Sequence, residues 1–182
     1  MPEFTSSNAS SEQPRTQAER TALAETRMVR AAIDLLNSAG IQGTTLVAIG
    51  ERSGYSRGLA THHFGSKAGL FRTVLKRMTA VWADELAANL DGKTGIQAII
   101  TAIDSHLDHA QRHPDFIRAT NILWGAALDP SSEFKPNATE FFRIQRESVS
   151  AWIEGGQQKG EIRKDIDAGR IAEQYYGGLI GI

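Results

Sequence analysis

Cysteine and long apolar runs are both missing from this sequence. Without a single cysteine there is no disulfide framework and no thiolate metal site. No stretch comes near the roughly 18 consecutive apolar residues that a membrane-spanning helix requires. The first residues also do not combine a basic segment with an apolar one, as a secretory signal would. We therefore expect a cytoplasmic protein without a membrane span.

Alternation of apolar and polar residues with a period of two, which is typical of half-buried strands, is also absent from the sequence. Apolar residues instead recur every three or four positions over most of the chain. With 182 residues, of which 41% are hydrophobic, the chain is long enough to bury a core in one or two small domains. These features predict an all-α fold of eight or nine helices.

Charge is distributed unevenly along the chain, although the formal total is only −1. Residues 1–78 contain ten Lys and Arg against six Asp and Glu, a net charge of +4. Residues 79–182 contain ten against fifteen, a net charge of −5. Positive potential at the N-terminal end favours a partner that carries phosphate groups.

Composition and periodicity divide the chain into three segments. Residues 1–18 are rich in Ser, Gln, Asn and Glu and have no apolar period, so we predict a disordered tail. Residues 19–66 form a predicted small helical domain, in which the first helix runs from about Thr21 to Ala39 and ends at Gly40. Residues 67–182 form a larger helical domain.

Two features of the larger domain bear on its packing. A predicted helix over residues 95–113 carries an apolar stripe that we expect to face the core, formed by Ile96, Ile99, Ile100, Ile103, Leu107 and Ala110. The last helix begins near residues 165–167 and is still apolar at Ile182, so it appears cut in mid-course.

The small domain contains two short helices separated by a glycine. Thr45 is a suitable N-cap for a helix over residues 46–53, because its side-chain oxygen can accept a hydrogen bond from a free amide of the first turn. Gly54 permits the positive φ of a tight turn, and Ser56 can cap a second helix over residues 57–63. This arrangement predicts a helix-turn-helix, whose second helix enters the major groove of DNA.

The spacing of apolar residues predicts which side chains of the helix-turn-helix face DNA. We expect the inward positions to be Leu46, Ile49, Tyr55, Leu59 and Phe64. An outward arginine at position 57 could bind guanine through its two-pronged guanidinium or hold a phosphate. Helix N-termini favour phosphate as well, and Thr45, Ser56 and Lys67 lie at such termini. The predicted DNA-binding residues are Thr45, Ser56, Arg57, Gly58, Thr61, His62 and Lys67.

The stretch from Thr26 to Leu75 resembles the DNA-binding domain of the TetR (tetracycline-repressor-like) family. The resemblance covers about a quarter of the chain and lies in Ala31-Ala32, Leu35, Gly40, Thr44-Thr45, Ile49, Gly54, Ser56, Gly58, His63-Phe64, Ser66-Lys67 and Leu70. Four positions depart from the usual family pattern. Thr61 stands in place of a phosphate-contacting tyrosine, Ala60 in place of a larger apolar residue, Gly50 in place of alanine, and Tyr55 in place of a small aliphatic residue.

The resemblance implies a ligand-responsive transcriptional regulator, most simply a repressor that a small-molecule inducer releases from a palindromic operator. It also implies a homodimer whose recognition helices are set about 34–36 Å apart, with the last two helices at the interface. Candidate interface residues are Trp152, Ile153, Gly156, Tyr175, Gly178 and Leu179. The resemblance also implies a ligand pocket among the middle helices. The candidate residues, which combine large apolar side chains with hydrogen-bonding groups, are Trp82, His106, Phe116, Asn121, Trp124 and Phe141.

Other interpretations remain open at this level. The histidines at positions 106, 109 and 113 could offer two metal ligands from one helix face. We nevertheless predict no metal and no cofactor, because further ligands would have to come from elsewhere. The protein could be an all-α enzyme or small-molecule-binding protein whose helix-turn-helix is only structural. We find no nucleophile–base signature and no phosphate-binding glycine loop, and so predict no catalytic residue. An activator or a non-specific DNA-binding protein is a third possibility.

Overall fold

The computed structural model describes residues 16–180, and within that range the chain forms eight helices and no strand. This confirms the predicted all-α fold. The helices are α1 (Gln17–Gly43), α2 (Leu46–Ser53), α3 (Arg57–Phe64), α4 (Lys67–Leu90), α5 (Gly95–Arg112), α6 (Pro114–Ala127), α7 (Lys135–Gln158) and α8 (Ala168–Ile180). Across the described residues, none of these helices combines the length and the apolar character needed to cross a bilayer.

Helix α1 begins earlier than the apolar pattern predicted. The Thr16 hydroxyl accepts a hydrogen bond from the Glu19 amide at 3.2 Å, and the Glu19 carboxylate accepts one from the Thr16 amide at 2.7 Å. This reciprocal capping box fixes the helix start at Gln17. The helix therefore includes the end of the predicted tail, whose residues 1–15 lie outside the described residues. At the other end, Gly40 has a φ of 64° and interrupts the helix where the sequence predicted its end.

The caps of the next three helices follow the sequence closely. Thr45 accepts from the Ala48 amide at 3.1 Å, Ser56 from the Leu59 amide at 3.1 Å, and Ser66 from the Gly69 amide at 3.0 Å. Gly54 ends α2 with a φ of 77°. Each of these bonds satisfies an amide that the helix itself leaves without a partner, so local sequence alone determines where these helices begin.

One apolar core joins the two ends of the molecule. Met28 and Leu36 of α1, Ile49 of α2, Phe71 of α4 and Leu123 of α6 are all almost completely buried in the same cluster. A smaller cluster holds α7 and α8 together and includes Val149, Ile153 and Ala172. Since α1 and α6 share the larger cluster, α6 packs directly against the N-terminal domain.

The prediction for the apolar stripe of α5 was wrong for four of its six residues, which are 37–46% exposed: Ile96, Ile100, Ile103 and Leu107. Ile99 and Ala110 are half-buried. The buried residues of the helix are instead Gly95, Ala98, Ala102, Ser105 and His109. Small side chains on this face let α5 approach its neighbours closely. A Cβ on Gly95 would lie only 3.2 Å from the Cα of Gly156 in α7. Close backbone packing therefore determined which face of α5 is buried.

Candidate DNA interface and ligand cavity

Helices α2 and α3 meet through a tight turn. The Tyr55 amide donates to the Gly50 carbonyl at 2.9 Å, so the chain folds back directly over the end of α2. A Cβ on Gly50 would lie 3.0 Å from both the Arg57 nitrogen and the Tyr55 oxygen. Gly50, which stands in place of the usual alanine, thus lies where α2 and the start of α3 approach each other closely.

Helix α3 has one buried and one exposed face. Ala60 and Phe64 face the core. The exposed residues are Arg57, Gly58, Leu59, Thr61 and His62. Leu59 was predicted to face inward, but it is 37% exposed. Positions 60 and 64 are four residues apart and share a helix face, whereas position 59 lies beside that face. The small Ala60 therefore takes the inward position expected for Leu59.

The remaining predicted DNA contacts lie at the beginnings of helices. Thr45 and Ser56 are exposed, and each satisfies only one amide of its first turn. Other first-turn amides stay available for a phosphate. The Lys67 ammonium lies 5.8 Å from the centre of the Phe71 ring and 3.5 Å from the Gln42 carbonyl. Its half-buried stem thus rests on the domain while its charge stays at the junction of α1 and α4.

A cavity of about 210 Å³ lies between α4, α5, α6, α7 and α8. Five of the six residues proposed from the sequence line it: Trp82, His106, Asn121, Trp124 and Phe141. Asn121 is exposed at the rim. The sixth, Phe116, packs against the larger core, with its ring centre 5.4 Å from that of His113. Ile117 and Thr120 of α6 line the cavity in its place.

Sequence reasoning missed much of the cavity wall. Further lining residues are Met78, Thr79, Leu107, Phe142, Tyr175, Tyr176 and Leu179. Two of these, Tyr175 and Leu179, had been assigned to a dimer interface. The adjacent tyrosines were the available signal, because a buried tyrosine with a polar tip is common in ligand pockets.

Burial shifts the pKa values of three polar groups of the cavity towards their neutral forms. Burial lowers the pKa of His106, and the nearby His109 lowers it further. Burial raises the pKa of the Tyr175 hydroxyl to about 12 and raises that of Tyr176 as well. The Tyr176 hydroxyl donates to Gln145 Oε1 at 2.6 Å. Burial therefore favours the uncharged forms of His106, Tyr175 and Tyr176 on this wall.

An ion-pair network lies behind this wall. The Arg112 guanidinium donates to both carboxylate oxygens of Glu85, at 3.0 and 3.1 Å. His109 Nδ1 lies 2.7 Å from one of these oxygens, and His113 Nε2 lies 3.4 Å from the other. The hydrogen bond from Arg112, followed by that from His109, lowers the pKa of Glu85 to about 2. The network links α4 to α5 at the point where α5 gives way to α6.

Residues of this network are also the candidates for a metal site. Donor atoms of Glu85, His109 and His113 lie within 4.8 Å of one another, so Glu85 supplies a third ligand that the sequence did not identify. His106 is not part of this group, because its ring packs edge-on against Trp82 at 5.5 Å. A metal ion would have to displace Arg112 from the carboxylate, since the guanidinium already occupies both oxygens. The absence of a metal stays a prediction.

The network continues towards the N-terminal domain. The ring of His113 lies 4.9 Å from that of His109, and α6 begins directly after it with Pro114. One residue further on, the Asp115 carboxylate pairs with Arg30 of α1 at 2.7 Å. The Asp115 backbone carbonyl also accepts a hydrogen bond from the side-chain amide of Asn37 at 2.9 Å. Packed and hydrogen-bonded groups therefore connect the cavity wall with α1.

The proposed dimer residues occupy different environments. Ile153 and Gly156 are buried inside the chain itself, where a Cβ on Gly156 would meet Ile162 at 2.7 Å. They are therefore not available to a partner subunit. Trp152 is half-buried against the α7–α8 cluster, and Gly178 is exposed with open space around it.

Comparison with known proteins identifies relatives of the N-terminal domain. Residues 28–74 match the sequence model of the bacterial regulatory proteins of the tetR family. The HTH-type transcriptional regulator BetI of Burkholderia ambifaria is 28% identical over 107 residues, which are 56% of this chain and 54% of that protein. BetI of Cronobacter sakazakii is 27% identical over 105 residues, 56% of this chain and 52% of that protein. The match thus spans about half the length of these relatives.

Solved structures resemble more of the chain. A TetR transcriptional regulator from Chloroflexus aurantiacus has a TM-score of 0.75 at 23% identity, covering 89% of this chain and 83% of that one. A γ-butyrolactone receptor described as ArpA-like has a TM-score of 0.72 at 22% identity, covering 89% and 82%. At these identities the likeness establishes the fold, from the helix-turn-helix to the larger helical domain.

Proposed function

We propose that this chain is a ligand-responsive, DNA-binding transcriptional regulator of the tetR family of bacterial regulatory proteins, whose sequence model its residues 28–74 match. In its simplest form it is a homodimeric repressor that a small molecule releases from a palindromic operator. The observation that carries this proposal is the capped helix α3, whose outer face is exposed while its inner face is fixed to the core. Chromosomal DNA as the target implies action in the cytoplasm.

In this function α3 lies in the major groove, which is wide enough for one helix. Arg57 at its first position reads a guanine or holds a phosphate. Gly58 brings no side chain that would keep the helix away from the bases. Thr61 and His62 reach base edges or backbone from the same exposed surface. The N-termini of α2 and α4 then fix the domain on the backbone through Thr45 and Lys67.

Two copies are required to read a palindrome, and we assign the contact between them to α7 and α8. The outer surface of these helices includes the small exposed residues Ala151, Gly177 and Gly178, which allow another helix to approach closely. This set replaces Ile153 and Gly156 of the sequence-based proposal. A two-fold arrangement would set the two α3 helices about one turn of DNA apart.

Regulation is a shift between two populations of this dimer. A ligand in the cavity touches α4, α5 and α6, and α6 is tied to α1 through the Asp115–Arg30 pair. A ligand that binds better when these helices are displaced changes the spacing of the two recognition helices and lowers operator affinity. By thermodynamic linkage, DNA then lowers the affinity for that ligand by the same factor.

Fluorescence anisotropy with labelled DNA from directly upstream of the gene, in excess competitor DNA, tests the DNA-binding function. We expect saturable binding with a dimer stoichiometry and an affinity that falls steeply with salt. Arg57→Ala should weaken binding at least about fivefold, the lower end expected for a base contact. Arg118→Ala removes an exposed arginine of α6 and is the matched control. Equal affinity for competitor and upstream DNA would count against a site-specific regulator acting at this locus.

A further inference from the structure

We propose that the cavity between α4 and α8 selects an uncharged, largely apolar small molecule, which it orients through a hydrogen bond to the imidazole of His106. This inference rests on the proposed function, in which the cavity holds the effector. It adds the chemical class of that effector.

The charge of the wall is the first argument. Within the described part of the chain, the lining includes no Asp, Glu, Lys or Arg. His109 also lines the cavity, but its Nδ1 lies 2.7 Å from the Glu85 carboxylate, whose two oxygens both accept hydrogen bonds from Arg112, so this group already has a partner within the chain. A charged ligand would lose its hydration without gaining a counter-ion, and an unpaired buried charge is strongly unfavourable. The cavity therefore discriminates against ligands of either sign.

His106 is the polar group best placed to orient a ligand. It is half-buried on the wall, and none of the hydrogen bonds found among residues 16–180 involves its ring. A neutral imidazole offers one donor and one acceptor. Two other polar groups of the wall already have partners: the Thr79 hydroxyl donates to the Leu75 carbonyl, and that of Tyr176 to Gln145. Asn121 is exposed at the rim. A hydroxyl or carbonyl of the ligand can therefore bind His106 without adding charge.

Aromatic side chains do not provide an alternative site for a cation. The face of Trp124 is covered by Phe141, whose ring is stacked on it with centres 5.0 Å apart. Trp82 is contacted by the rings of His106 and His109. A cation needs free aromatic faces around it, whereas these rings largely cover one another. What they leave is a mainly apolar space of about 210 Å³, which is below the range of about 300–1,000 Å³ usual for drug-sized ligands.

Three biphenyl compounds of nearly the same shape test the charge preference. Isothermal titration calorimetry of the full chain without DNA would compare 4-phenylbenzyl alcohol, 4-phenylbenzylamine and biphenyl-4-carboxylate at neutral pH. We expect the alcohol to bind at least about tenfold more tightly than the cation or the anion. Tighter binding of either charged compound, equal binding of all three, or no binding of the alcohol at millimolar concentration would overturn the inference.

Two variants of α5 test the orienting hydrogen bond. His106→Leu should weaken binding of the alcohol by about fivefold to tenfold, the effect of one lost hydrogen bond, whereas Gln111→Leu at an exposed position of the same helix should not change it. Unchanged affinity in His106→Leu would remove His106 from the proposal. Calorimetry measures ligand binding in the absence of DNA, so this result does not depend on the DNA-binding function. If the alcohol binds as expected but does not alter operator affinity, the ligand class stands and the effector role of the cavity fails.

Discussion

Glu85 joins α4 to α5, and its removal tests whether the network behind the cavity stabilises the fold. Three groups face its carboxylate: Arg112, His109 and His113. Because the folded-state pKa is lowered from 4.5 to about 2, the ion pair stabilises the fold above pH 4.5 and loses that effect as the pH falls towards 2. We expect Glu85→Gln to be less stable than the wild type at neutral pH, and the difference to shrink in acid.

The size of the effect follows from the same values. A pKa lowered from 4.5 to about 2 corresponds to at most about 3 kcal/mol. The Glu85 side chain is 23% exposed and that of Arg112 51%, so solvent screening reduces this to roughly 1–2 kcal/mol. Glutamine also keeps an acceptor for Arg112, which lowers the loss further. A destabilisation of about 1 kcal/mol is therefore expected at pH 7.

Urea denaturation between pH 7 and pH 3 measures this difference. Asp84→Asn is the matched control, because it removes the same charge from the neighbouring, exposed position of α4. The advantage of the wild type over Glu85→Gln should fall to less than half by pH 3, and Asp84→Asn should have little effect throughout. Two results would refute the assignment of the low pKa to this network. One is a stability difference between the wild type and Glu85→Gln that stays constant down to pH 3. The other is an equal loss of stability in Glu85→Gln and Asp84→Asn.

Three further predictions concern the DNA-binding domain and its coupling to the cavity. Ser56→Ala should lower the free energy of unfolding by about 1 kcal/mol through loss of the α3 cap; equal urea midpoints would contradict this. Leu59 should contact a thymine methyl, so replacing that thymine by deoxyuridine should weaken binding about fourfold per half-site, and Leu59→Ala should abolish the difference. Arg30→Ala, which breaks the half-buried pair with Asp115, should keep DNA affinity but reduce its response to ligand; an undiminished response would exclude this coupling route.

Local chemistry explains what could be predicted from the sequence. The caps Thr45, Ser56 and Ser66 and the turn at Gly54 act within a few residues of their own positions. Their effect therefore does not depend on the rest of the fold. The helix-turn-helix was predictable with its boundaries, because a hydroxyl before a helix and a glycine after it have few alternative uses. The capping box of α1 could have been found in the same way from Thr16 and Glu19.

Tertiary packing explains which features could not be predicted from the sequence. Hydrophobicity predicted that the isoleucines of α5 are buried, but Ala98 and Ala102 occupy the buried face because the neighbouring helices approach closely. Leu59 is exposed for a similar reason, since Ala60 fits the narrow space beneath α3. Periodicity shows that a helix has two faces. Which face is buried depends on partners far away in the sequence.

Selection of duplexes from a randomised DNA library by the purified protein is the most direct test of site-specific recognition by α3. Sequencing after a few rounds, with Arg57→Ala in parallel, compares what each protein enriches. We predict a two-fold symmetric site with half-sites about one helical turn apart for the wild type, and loss of the preferred base at one symmetric position for the variant. No enrichment over the starting library, or the same asymmetric sequences with both proteins, would contradict recognition of DNA by α3.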